Sequence, residues 1–80
     1  MNYRKLPLGT RNIIGKKVTE ARNNLGITQI QLMAKMQLEE IDITISSMSL
    51  LEGQKRPVFD YELKVLAKIL NVDVNWLLGD

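Results

Sequence analysis

Cysteine and histidine are both missing from the 80 residues. Their absence excludes disulfide staples, thiolate nucleophiles, Cys/His zinc sites and imidazole acid–base chemistry together. An enzyme would have to rely on a carboxylate pair or a lysine, and no acidic pair is spaced as in a cleft, so no catalytic role is expected. Long apolar runs are lacking too. None approaches the roughly 18 residues of a membrane span, and no signal-peptide core follows the N-terminus, so a cytoplasmic chain without a membrane partner is expected. No cofactor or metal is expected either. The length allows one small core, and at 45% apolar and 25% charged residues the chain is too apolar for a disordered one.

What charge there is lies unevenly. Residues 1–35 carry Arg4, Lys5, Arg11, Lys16, Lys17, Arg22 and Lys35 against Glu20 alone, a formal +6. Residues 36–80 hold four basic and eight acidic side chains, a formal −4. A basic front half points to a polyanionic partner, because binding to nucleic acid rests on neutralised phosphates and released counterions. A solvated surface with scattered Lys and Arg would look the same by charge alone.

Residues 1–11, with Pro7, Gly9 and three basic side chains, have no helical period and are expected as a flexible basic arm. Residues 12–80 are expected to form the domain. From about Asn12 to Leu25, the residues Ile14, Val18, Ala21 and Leu25 step by four, three and four along one helical stripe, and Gly26 can end it at positive φ. Thr28 and Gln31 have capping-box spacing and open a second helix to about Met36, burying Leu32, Met33 and Met36. Thr44 or Ser46 can cap a third, to about Leu51, with Met48 and Leu51 inward. Asp60 is expected to cap a fourth, whose Leu63, Leu66, Ala67 and Leu70 make the cleanest stripe. Asn71 stops it, and Asp73 caps a short fifth through Trp76, Leu77 and Leu78. Ile41-Asp42-Ile43-Thr44-Ile45 alternates with period two like a strand. With no partner strand in the sequence, it is expected as an extended connector whose isoleucines plug the core.

Five helices with a tight pair in the middle suggest a helix-turn-helix. Gly15, then Arg22 to Gln29, then Leu32-Met33-Ala34 resemble the lambda-repressor and Cro-like family, also called the xenobiotic-response-element group. So do Ser49-Leu50-Leu51-Glu52 and the run Leu66 to Val72 with Leu77-Leu78-Gly79. The resemblance covers about residues 13–79 and implies an all-α, five-helix DNA-binding domain. It implies that Thr44 to Glu52 is the recognition helix, with Thr44 a DNA-binding residue at its start and Ile45, Ser46 and Ser49 where base edges are met. It also implies that Gln29 touches the phosphate backbone or a neighbouring side chain, that Gln54, Lys55 and Arg56 contact the phosphate backbone, and that Arg22 and Glu52 form a structural salt bridge. In two places the sequence departs from the family. The turn between the second and third helices, Gln37 to Ile43, is about seven residues without a glycine, similar to a longer-turn variety. After the third helix, Gln54 stands where glycine is common.

The function implied is a transcriptional regulator bound to double-stranded DNA, as a homodimer on half-sites about 34 Å apart. The recognition segment offers Ile45, Ser46, Ser47, Ser49 and Leu50 and lacks the Gln, Asn, Arg or Lys that read bases bidentately, so readout would lean on shape and backbone. The apolar Ile45 and Leu50 motivate the alternative, a protein-interaction module (antitoxin, anti-repressor or adaptor subunit) that keeps the fold. Lys55 and Arg56, beside Pro57, are expected to be mobile loop cations. Trp76 is expected as an exposed candidate for self-association.

Overall fold

Asn12 decides where the first helix of the described residues begins. Its Oδ1 accepts from the backbone N–H of Ile14 (3.3 Å) and Gly15 (2.9 Å), while Nδ2 donates to the carbonyls of Leu51 (2.8 Å) and Arg56 (3.0 Å). Every hydrogen-bonding position this buried side chain uses is therefore spent on backbone. In this computed structural model, which describes residues 11–79, the first helix α1 runs Gly15–Asn24, three residues later than the expected start. The expected arm, residues 1–10 of it, lies outside the described residues, and Arg11 at its end is exposed.

The others are α2 Gln29–Leu38, α3 Ile45–Glu52, α4 Asp60–Leu70 and α5 Val74–Leu77, and the described residues contain no strand. The Thr28 hydroxyl accepts from Gln31 N–H (3.1 Å) and the Gln31 side chain accepts from Thr28 N–H (2.8 Å), so the capping box that starts α2 is complete. Thr44 caps α3 through Ser47 N–H (3.1 Å), and Asp73 caps α5 through Asn75 N–H (3.1 Å). Asp60 does not cap α4. It is the first helical residue; Phe59 sits at the cap, its N–H held by the Glu62 carboxylate at 2.9 Å.

The first four helices all end the same way. One residue takes positive φ, and its own N–H and that of the next residue fold back onto the last turn, as in a Schellman motif. The left-handed residues are Gly26, Glu40, Gln54 and Asn71, with φ between 55° and 71°. The return bonds are Ile27 to Arg22, Ile41 to Met36, Lys55 to Leu50 and Val72 to Ala67, at 2.8–3.3 Å. Only one of the four is glycine. A side chain in that region costs about 1–2 kcal/mol, offset at Glu40 and Gln54 by the return hydrogen bonds that the turn makes.

Between α2 and α3 the chain behaves as its alternation suggests. Ile41 and Ile43 are buried, Asp42 is exposed, and Gln37 Nε2 donates to the Ile43 carbonyl at 3.0 Å. Ile45, expected to plug the core with them, does not: it opens α3 and is exposed, because the helix turns its side chain outward. The core joins Ile14, Val18 and Ala21 to Leu32 and Met36, Met48 and Leu51, and Leu66, Leu70 and Leu77. In it α1 and α2 each pack against α3 and against α4, and α5 closes on α4. Several expected core positions lie outside it. Leu25 is 48% and Leu78 is 37% exposed, while Met33 and Leu63 are half-buried. Leu25 and Leu78 fall at helix ends, where the chain turns away from the stripe. Among the described residues no helix is long and apolar enough to cross a membrane.

The start of α1 rests directly on the end of α3. A Cβ on Gly15 would lie 2.5 Å from the Leu51 carbonyl oxygen and 3.0 Å from that of Glu52. Gly15→Ala is therefore expected to lower stability by about 1–3 kcal/mol, because backbone must give way. Glu40→Gly, which relieves a left-handed side chain at an exposed site, is expected to raise it by about 0.5–1 kcal/mol. Urea midpoints read both.

Candidate nucleic-acid interface

Helix α3 has two faces. Met48, Leu51 and Glu52 are buried, while Ile45, Ser46, Ser49, Leu50 and Gly53 are exposed. The outward positions advance by one and then three along the chain, the step that keeps residues on one side of a helix. With the exposed cap Thr44 they form a continuous stripe that carries no charge, and no described part of the chain covers it. Ile45 is 40% and Leu50 is 44% exposed, so the stripe is as much apolar as hydroxylic.

Glu52 orients this rod. Its side chain, 4% exposed, accepts from Thr19 Oγ1 (2.9 Å), Arg22 Nε (2.8 Å), Arg22 Nη2 (3.0 Å) and Gln29 Nε2 (3.1 Å). The remaining Arg22 donor group, Nη1, bonds the Ile27 carbonyl at 2.9 Å. The Arg22–Glu52 pair is thus present as the resemblance implies. Four charge-assisted bonds offset the loss of hydration that burial of the carboxylate entails. The network continues outward: Gln29 Oε1 accepts from Ser49 Oγ at 3.0 Å, so one chain of bonds runs from α1 through the first turn of α2 to the exposed stripe of α3.

The expected contact residues divide into two groups. Thr44, Ile45, Ser46 and Ser49 share the stripe, Gln29 joins them through Ser49, and Lys55 is exposed in the loop just beyond. Gln29 is not a free surface side chain, since both ends of its amide are engaged. Gln54 and Arg56 are turned inward. Gln54 Nε2 donates to the Asn12 carbonyl at 3.0 Å. Arg56 is not a mobile cation: its Nη2 lies 3.0 Å from the buried Glu62 carboxylate, and its guanidinium sits 5.6 Å from the Phe59 ring. Trp76 also differs from expectation, being half-buried with the Lys17 ammonium 4.4 Å from its ring centroid.

Asn12, Thr19 and Glu62 carry structural roles that the sequence reading missed. Glu62 had a local signal, since it stands three residues after the residue that caps α4, the reciprocal half of a capping box. Asn12 had a weaker one, a polar residue before Ile13-Ile14 and three positions ahead of Gly15. Among the described residues no three His, Cys, Asp or Glu side chains are grouped so as to hold a metal ion. Comparison with protein-family models, with curated proteins and with solved structures finds no match for this chain.

Glu52→Ala is expected to cost about 3–5 kcal/mol, because it leaves the Arg22 guanidinium buried without its counter-charge. The double variant Arg22→Met/Glu52→Leu, which removes both charges and keeps volume, is expected to recover most of that loss. Chemical denaturation of the two side by side checks the difference.

Proposed function

We propose that this chain is the DNA-binding domain of a transcriptional regulator of the lambda-repressor and Cro-like helix-turn-helix type, and that it lays the outer stripe of α3 in the major groove of a duplex. The observation that carries this reading is the stripe itself. Thr44, Ile45, Ser46, Ser49 and Leu50 stand exposed on one side of a rod, and a buried carboxylate fixes that rod to the first turn of α2. A helix presented in this way fits the width of the major groove. Its side chains are short, so the helix backbone can approach base edges closely, with Ile45 against a thymine methyl and the hydroxyls on polar edges. Affinity then comes from phosphates, met by Lys55 and by the basic first half of the chain.

Two copies are needed for useful affinity, and one face suits a two-fold pairing. Ile13, Phe59, Leu63 and Leu78 line a shallow apolar groove rimmed by Arg11 and Asp60. The groove carries one basic and one acidic rim residue, so a second copy turned about a two-fold axis is the occupant proposed for it. Leu78→Glu, placing a charge in that groove, is expected to leave a monomer in sedimentation where the parent chain is a dimer.

A second reading rests on the same stripe. Ile45 and Leu50 are apolar and exposed, so the face would equally suit a protein partner with an apolar groove. Mixing the chain with mixed-sequence duplex at low salt separates the two. A mobility shift at micromolar protein is the expected result, and no shift favours the protein partner.

Within the DNA-binding reading, Lys55→Ala is expected to weaken binding to all duplexes alike and to reduce the salt slope by about 0.9. Ser46→Glu is the sharper variant. It places an anion in the first turn of α3, where it should strengthen the helix by about 0.3–1 kcal/mol. The same anion would point at phosphates and bases. Loss of the mobility shift with a preserved or raised melting temperature is the expected pair of results.

A further inference from the structure

The hydrogen bonds around Glu52 have a direction, and that direction reaches the surface. The ion-paired Glu52 carboxylate can only accept, so it turns the Gln29 amide with Nε2 inward at 3.1 Å. The opposite end of that amide, Oε1, can only accept as well, and it lies 3.0 Å from Ser49 Oγ. A serine hydroxyl has one proton. Donating it to Gln29 leaves only lone pairs on the solvent side of Ser49, which is exposed in the middle of the α3 stripe.

We infer that Ser49 acts as a one-way acceptor that selects an amino-bearing base, adenine or cytosine, at the position it faces. In the major groove the donors are adenine N6 and cytosine N4, whereas guanine O6 and N7 and thymine O4 only accept. A serine that is free to rotate would meet either kind. Here Gln29 is the positioning residue: it touches no base, and it sets the polarity of the group that does. The inference rests on the DNA-binding reading above and adds to it a rule for one base position.

The test is selection from a random duplex pool by the full chain, with the bound fraction sequenced, for the parent, Ser49→Ala and Gln29→Met. In the parent, one position per half-site should favour A or C over G or T by about 3- to 10-fold, the scale of a single hydrogen bond. Ser49→Ala, an exposed change that suits a helix, should equalise the four bases there and leave other positions alone. Gln29→Met removes the acceptor and frees the serine proton, so G and T should rise to the level of A and C at that position only. A Ser49-dependent position that prefers G or T overturns the inference. So does a profile that Ser49→Ala leaves unchanged, or an A/C preference that survives Gln29→Met. Failure of the parent to enrich any duplex overturns the DNA-binding reading itself and this rule with it.

Discussion

A single buried carboxylate holds the middle of this molecule together. Glu52 sits at the last turn of α3 and is reached by α1 through Thr19 and Arg22 and by α2 through Gln29. An apolar residue there could fill the volume, but it could not say how α3 is rotated. Four directional bonds do: they fix which side of the rod faces the core and which faces out. That is the use of buried polar groups that fits this site, a choice of register whose contribution to raw stability is small. The stripe of Ile45, Ser46, Ser49 and Leu50 is exposed because Glu52, two to seven residues further on, is not.

The contact between α1 and α3 depends on the same economy of space. Gly15 brings the first turn of α1 onto the Leu51 and Glu52 carbonyls, and Asn12 bonds one of the same carbonyls from just outside the helix. Gln54, in left-handed conformation, reaches back to the Asn12 carbonyl. The two ends therefore support each other: Asn12 satisfies α3's last turn, and the residue after α3 satisfies Asn12. Arg56 and Glu62 extend the arrangement to the start of α4, where one carboxylate serves both an ion pair and a helix cap.

What could be read from the sequence follows from how local each feature is. The Thr28–Gln31 capping box, the stops at Gly26 and Asn71 and the burial of Ile41 and Ile43 each depend on residues within five positions, and the pattern shows them. Helix ends slipped where a stripe was extended past the point at which the chain turns, as with Leu25 and Leu78. The glycine missing from the longer turn is replaced by Glu40 at φ 65°, a role no propensity assigns to glutamate. Gln54 and Arg56 were legible as polar loop residues and nothing more. The partner of Gln54 lies 42 residues away, and that of Arg56 sits on the next helix. Spacing cannot reveal whether a side chain has a tertiary partner, so it could not separate the exposed Lys55 from its inward-turned neighbours. Within the proposed site, sequence located the stripe, and only the structure joined Ser49 to Gln29 and Gln29 to Glu52.

A stripe with no long polar side chain looks poorly equipped for a groove, but the balance of terms is less one-sided. Freezing an Arg, Lys or Gln on docking costs up to about 1.5–2 kcal/mol of side-chain entropy each. Serine and threonine have one rotatable bond to fix, and here Thr44 is already committed to its cap and Ser49 to Gln29. The one long polar residue beside the stripe, Gln29, is immobilised before any partner arrives. Such a surface forms weaker individual contacts and gives up little freedom to form them, which is how preorganised interfaces gain affinity without added area. On the proposed DNA-binding reading, selectivity then comes from geometry, from how close a rod of small side chains lies to the bases and from which way the Ser49 hydroxyl is turned. On that reading, the pose of α3 and the turn of the Ser49 hydroxyl are both set from inside the protein, by the Glu52 carboxylate through Arg22 and Gln29.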